Sequence, residues 1–531
     1  MPVSIFNDVI GPVMRGPSSS HCAAALRIGR LARDLMGGTF SSVHWELDRA
    51  GSLPTTHESQ GSDMGLFGGL MGWDAADERL PDSPRILADT GVKLRIETAD
   101  LGDPHPNTYR LTLENGTTRH SLRALSTGGG AIEVTDIDGF PVSMNGGGFE
   151  TLIFLDRSAN GAEVQESLAA LLPDGEIQTL ESSAGRAIWA EGETQPDEAG
   201  LAALSGTAGI REIRVLRPVL PVLSPRAARV PFSTAAELMA HDGDRRTPLW
   251  RLAMDYEGAC ARMPDEPILA EMVKIVRILR KSIAQGIAGT AYDDRVLGPQ
   301  APMFDQALKG GRLLHGGGLN RTILYVTALM DVKSSMGVIV AAPTAGACAA
   351  LPGVVIAMAE EMGLGEDEMA RALLAAGLIG AFIATRWTFA AEVGGCQAEG
   401  GSAASMAAAA LVTLAGGTRD QALAAASMAF QSMIGLVCDP VANRVEVPCL
   451  GKNVMAAANA LSCANMALAG FDQVIPLDEV IETARRVATQ MPRELRCTAL
   501  GGLSITPTSL ALEARLAGKK AGCGKSGCGC G

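Results

Sequence analysis

Cys396, Cys438 and Cys449 are the residues whose type and surroundings best suit chemistry. Cys396 lies in a glycine-rich turn, AEVGGCQAEGGSA, between two alanine-rich helical segments. Cys438 and Cys449 flank a short loop holding Pro440 and Pro448, within GLVCDPVANRVEVPCLGKN. Thiols on loops between helices can converge on one iron–sulfur cluster. Three thiolates leave one iron of a 4Fe-4S cube without a protein thiolate, and an open position is what Lewis-acid catalysis needs. The same residues also suit three unrelated buried thiols, because free cysteine is among the most buried residue types. Spacing does not separate the two readings, since the chain has no C-x2-C-x2-C run.

A second group stands near the N-terminus, Gly16-Pro17-Ser18-Ser19-Ser20-His21, followed by a helical pattern with Ala24, Ile28 and Leu31 on one face. Serines before a helix act as caps, and a helix N-terminus attracts anions. Three serines beside a histidine also suit a carboxylate pocket with a proton-transfer group. His57 and His105 are second-rank candidates, since lone histidines are more often structural. The glycines of Ser126-Thr127-Gly128-Gly129-Gly130 permit close backbone approach to a ligand or a strand.

Composition narrows the class. The chain has 531 residues, a net charge of −13 and no long basic run, which argues against nucleic acid as a partner. Eleven cysteines in a chain this long fit a reduced, cytoplasmic protein better than a disulfide framework. The opening MPVSIFNDVIGPVMRG has no basic region typical of a signal peptide. Residues 334–359 and 400–418 carry no charge, yet they are rich in Ala, Ser and Gly and read as central helices of a bundle, not membrane spans. Gly524-Lys525-Ser526 is no phosphate loop, because the required earlier glycine is Lys519.

The motifs EVGGCQAE, CDPV and VEVPC-x-x-x-N resemble those of the iron–sulfur-dependent L-serine dehydratases, or L-serine ammonia-lyases. Cys438 follows Cys396 by 42 positions and Cys449 follows by 11 more, as in that family. GPSSSH, His105-Pro106-Asn107, Ser126-x-Gly128 and MGVIVAAPTAG, which contains Thr344, resemble its other motifs. The departures from it include Cys22 where threonine is usual, residues 56–63 where a shorter loop is usual, Thr388–Glu392 one residue longer than usual, and Cys497 where glutamate is usual.

The resemblance implies a 4Fe-4S cluster held by Cys396, Cys438 and Cys449, with a tail cysteine as resting fourth ligand. Cys530 is favoured there, with Cys523 and Cys528 as alternatives. It implies Ser18, Ser19, Ser20, Ser126, Gly128 and Thr344 around a small hydroxy amino acid or hydroxy acid. His21 is the expected base, with Cys22 or an activated serine as alternatives. The expected reaction is deamination of L-serine to pyruvate and ammonia. Dehydration of another β-hydroxy acid, such as 2-(hydroxymethyl)glutarate, is the alternative. A non-catalytic cluster protein or amino-acid sensor is a third reading.

The fold expected is α+β: a β-like domain over 1–150, a ferredoxin-like (ACT-like) βαββαβ module over 151–222, a linker over 223–231, and a mainly helical catalytic domain over 232–531 with a Cys/Gly tail over 522–531. A homodimer or higher homo-oligomer is expected.

Overall fold

Alternation of apolar and polar residues gives the N-terminal half its strands, and small apolar residues give the C-terminal half its helices. The computed structural model describes residues 2–173, 175–223 and 228–523, with side chains through 517, so part of the expected linker lies outside the described residues. The fold is α+β, as expected. The chain forms two compact units. One comprises Ser20–His57 and Ser62–Arg229; the other comprises Val3–Ser19, Glu58–Gly61 and the chain from Val230 onward.

The first unit holds a six-stranded sheet in the order Lys93–Ala99, Ser42–Asp48, Thr108–Asn115, Thr118–Gly128, Ala131–Ile137, Phe140–Met144. The first pair is parallel and the rest are antiparallel. Helix Ala24–Leu35 buries Ala24, Ile28 and Leu31 in a core shared with Trp45 and Tyr109, whose rings stack at 5.5 Å. The helix itself begins at Ala24 with no side-chain cap, after a π-type turn over Ser19–Ala23. The serines expected as caps are therefore one turn too early to cap it.

Residues Phe149–Leu216 run βαββαβ, with the four strands in the spatial order last, first, third, second. Side-chain alternation splits this sheet between two cores. Ile153, Ile188 and Ala190 meet its own helices through Val164, Leu168 and Leu204. Leu152, Phe154, Ala187 and Trp189 join the core of the six-stranded sheet. That shared core is why the segment does not stand apart as its own compact unit.

In the second unit, helices Glu366–Arg386, Ser402–Leu414, Arg419–Gln431 and Cys449–Leu468 pack together. Ser402–Leu414 is buried over almost its whole length, and its Ala and Ser side chains let neighbouring backbones approach closely. Glu366–Arg386 is long and apolar enough to cross a membrane, but most of it is buried inside this unit.

The N-terminal segment belongs here too. Val13–Arg15 pairs antiparallel with Val338–Val340. Ile5 and Val9 seat on Gly377 and Gly380, where a Cβ would come within 2.4 Å and 2.1 Å of their side chains. Ser4 Oγ and Ile5 N donate to the fully buried Glu257 carboxylate at 2.6 Å and 2.7 Å. The division between units thus falls inside GPSSSH, between Ser19 and Ser20.

Candidate metal centre

Two loops bring the first thiols together. The short helix Ala391–Gly394 ends at Gly395, whose φ of 69° suits glycine. Cys396 then leads a π-type turn over Gln397–Gly401 into the central helix. Gln397 clamps this turn to the neighbouring loop: its N–H donates to Leu436 O at 2.9 Å, and its Oε1 accepts from Gly435 N at 2.9 Å. That loop delivers Cys438. Cys396, Cys438 and Cys497 then pack in one buried cluster with Ala391. Cys449 is the first residue of helix Cys449–Leu468. All the cysteines with described side chains are free thiols.

Donor atoms of Cys396, Glu399 and Cys438 all lie within 4.8 Å of one another, close enough to hold one metal. The Lys452 ammonium donates to Val437 O at 2.6 Å and Asp439 Oδ1 at 2.9 Å, and it lies 3.6 Å from Cys396 Sγ. Asn453 ties the Cys449 helix to the next element. Its Oδ1 accepts from Ala349 N and Ala350 N at 3.2 Å and 3.1 Å, capping helix Ala350–Glu361, which has no cap of its own. Its Nδ2 donates to Gly346 O and Cys449 O at 2.8 Å and 2.9 Å. Glu446, just before Cys449, is held by buried Arg295 at 3.3 Å and by the N–H groups of Val296 and Leu297.

The electrostatics suit a site that binds a cation. Contacts with Cys396 and Cys497, then burial, push the Cys438 thiol well above its ordinary range. Burial does the same for Cys449, with Cys396 adding to it and Lys333 opposing it. Burial works against the Lys452 ammonium, but Cys396 and Asp439 outweigh it and hold the charge. Glu399 is raised to about 7, first by burial, with the Thr344 hydrogen bond opposing and Glu392 adding. Adjacent buried thiols are costly as anions until a cation joins them, and the Lys452 ammonium offsets only part of that cost. This donor set fits a thiolate-bound iron centre.

The Pro343-Thr344-Ala345-Gly346 loop meets this site, interrupting the path from strand Val338–Val340 to helix Ala350–Glu361. Thr344 Oγ1 donates to Glu399 Oε1 at 2.7 Å and accepts from Ala347 N at 3.1 Å. Ala345 N donates to Ser19 Oγ at 3.1 Å. Gly346 passes so close that a Cβ would stand 2.7 Å from Glu399 Oε1. Ser19, Thr344, Glu399 and the thiols therefore form one contiguous set within the second unit.

Ser20, His21, Ser126 and Gly128 lie in the first unit. His21 is fully buried, and burial, then His57, lowers its pKa to about 3. Its Nε2 meets Thr56 Oγ1 at 2.9 Å, and that hydroxyl donates to Ser52 O at 2.8 Å. Ser126 Oγ donates to Ser20 O at 2.8 Å, and Gly128 has φ 110° in the glycine turn. Asn107 is fully buried, with neither side-chain amide atom hydrogen-bonded among the described residues.

Cys530 and Cys528 lie outside the described residues, and of Cys523 only the backbone, at the end of helix Pro507–Cys523, is described. Glu399, Lys452 and Asn453 are not among the residues expected from the sequence, although all three sit inside EVGGCQAE and VEVPC-x-x-x-N. Cys497 stands out in the sequence only as a departure.

An α+β part followed by a helical part with buried, convergent thiols defines a candidate thiolate-metal enzyme. Comparison with known proteins makes the class specific. The family model "Serine dehydratase alpha chain" matches residues 236–504. This chain belongs to the serine dehydratase family. It is 38% identical over 287 residues to the probable L-serine dehydratase alpha chain of Bacillus subtilis, covering 54% of this chain and 96% of that one. It is 28% identical over 525 residues to the L-serine dehydratase of Streptomyces coelicolor, covering 95% and 99%. The probable beta chain of Bacillus subtilis also matches, at 38% over 143 residues, covering 27% of this chain and 64% of that one. Some members are thus separate alpha and beta chains, and this sequence resembles both.

Proposed function

We propose that this chain is a 4Fe-4S-dependent L-serine dehydratase that converts L-serine to pyruvate and ammonia in the cytoplasm. The observation that carries the reading is the contiguous set Ser19, Thr344, Glu399, Cys396 and Cys438, which joins a hydroxyl-rich loop to convergent thiols. Membership of the family and the names of its relatives support it. The free thiols support a reducing compartment.

Cys396, Cys438 and Cys449 hold the cluster, which when bound supplies an electron-pair acceptor for a departing hydroxyl. Ser18, Ser19 and Ser20 bind the substrate carboxylate, with Ser126 fixing the Ser20 backbone and Gly128 leaving room beside it. His21 enters as neutral imidazole and takes the α-proton. Asn107 offers an amide to the substrate. Thr344 orients Glu399 beside the thiols. Loss of water leaves aminoacrylate, which tautomerises and takes up water to give pyruvate and ammonia.

Substrate-perturbed spectroscopy tests the reading. L-Serine added to reconstituted protein is expected to change the cluster's absorption and Mössbauer spectra. An iron-loaded protein whose spectra ignore L-serine but respond to another hydroxy acid would shift the substrate. No response to any hydroxy acid would point to a non-catalytic cluster.

A further inference from the structure

We propose that Cys497 is a further thiolate donor to the cluster, able to take the iron that Cys396, Cys438 and Cys449 leave open when neither substrate nor a tail cysteine holds it. This rests on the cluster reading above and adds one ligand to it. Cys497 is buried and packs against Cys396 and Cys438. Its position is fixed by the backbone: Cys438 N donates to Leu495 O at 2.9 Å, and Cys497 N donates back to Cys438 O at 3.1 Å. These bonds pair Cys438 with Arg496 on a facing backbone segment, with Cys497 the next residue along it.

Cys497 also holds a left-handed backbone, φ 56°, which a non-glycine residue keeps only where its surroundings impose it. Gln60 Nε2 lies 4.0 Å from its sulfur, and Asn443 accepts from the same amide at 3.2 Å. A thiol so placed stands beside two of the three proposed ligands, in the same buried cluster. On ligation the S–H bond breaks, the proton passes to solvent, and a sulfur lone pair forms the bond to iron. No electron is transferred. Substrate hydroxyl displaces the thiolate, which takes back a proton.

The test uses the full chain with Cys523, Cys528 and Cys530 all changed to serine, so that no tail thiol competes. This chain and the same chain carrying Cys497→Ala are reconstituted anaerobically with iron and sulfide. Mössbauer spectra and the rate of conversion to a three-iron cluster by ferricyanide, followed by electron paramagnetic resonance, are the readouts. The parent is expected to show four similar, sulfur-ligated irons. Cys497→Ala is expected to show one distinct iron and several-fold faster conversion.

Equal spectra and rates with the cluster present would overturn the Cys497 assignment alone. Absence of iron from both chains would overturn it together with the cluster reading. Selenocysteine in place of Cys497 guards against a variant that merely misfolds. Iron at bonding distance in the selenium absorption fine structure supports the assignment, and its absence overturns it.

Discussion

The hydroxyl of Thr344 donates to Oε1 of Glu399 at 2.7 Å, and this contact joins a loop shaped to meet Ser19 to a turn shaped to present Cys396. Gly346 is what lets the loop lie so close. Gly346→Ala should push the Glu399 carboxylate aside, reducing turnover at least tenfold with iron content retained. Unchanged kcat in Gly346→Ala would separate Glu399 from the chemistry.

Cys396→Ser, Cys438→Ser and Cys449→Ser should each lose most of the bound iron. Cys260→Ser and Cys463→Ser should keep it, since Cys463 Sγ meets Asn459 within its own helix and Cys260 lies in helix Leu249–Ala261. Iron and sulfide analysis after anaerobic reconstitution decides the matter. Equal loss in Cys463→Ser would break the ligand assignment.

His21→Ala should hold its cluster and lose about 10²- to 10⁴-fold in turnover, the usual contribution of a general base. Because burial keeps His21 neutral down to about pH 3, the acid limb of the kcat/KM profile should not come from its titration. Full turnover in His21→Ala would remove it from the mechanism.

Glu257 gives stability a pH dependence. Burial raises its folded pKa from 4.5 to about 7, against the opposing Ser4 and Ile5 hydrogen bonds. The folded chain therefore keeps a proton that the unfolded chain releases across this window. Its contribution is full below about pH 4.5 and is lost as pH rises to about 7, at most about 3 kcal/mol. Glu257→Gln should flatten the fall in thermal midpoint between pH 5 and 7 relative to the parent chain, in the same buffers. Parallel curves would show that Glu257 does not titrate there.

Asn453→Ala should free the first N–H groups of helix Ala350–Glu361 and cost about 1–3 kcal/mol. Hydrogen exchange across residues 349–353 should accelerate, and unaltered exchange would show that another group caps the helix.

The thiols proposed as ligands were picked out in the sequence because they sit in contiguous motifs. Cys396, Cys438 and Cys449 announce themselves by their neighbours, and VEVPC-x-x-x-N already contains the capping Asn453. Alternation marked two strands of the six-stranded sheet, Lys93–Ala99 and Thr108–Asn115, and the sequence pattern marked the βαββαβ segment. What stayed hidden depends on contacts distant in sequence. A three-residue strand, Val13–Arg15, carries too little pattern to reveal that it pairs with Val338–Val340 and takes Ser18 and Ser19 into the helical unit. Cys497 stood out as a departure, but its nearness to Cys438 depends on a bridge between Cys438 and the neighbouring Arg496 that no local pattern encodes.

Keto-acid release from L-serine by anaerobically reconstituted chain, measured alongside iron and sulfide, tests the central claim most directly. One 4Fe-4S cluster per chain and stoichiometric pyruvate and ammonia are expected, both abolished together when the cluster is removed by chelation under oxidation. Chain loaded with that cluster yet releasing no pyruvate from L-serine, or releasing it equally well without iron, would contradict it.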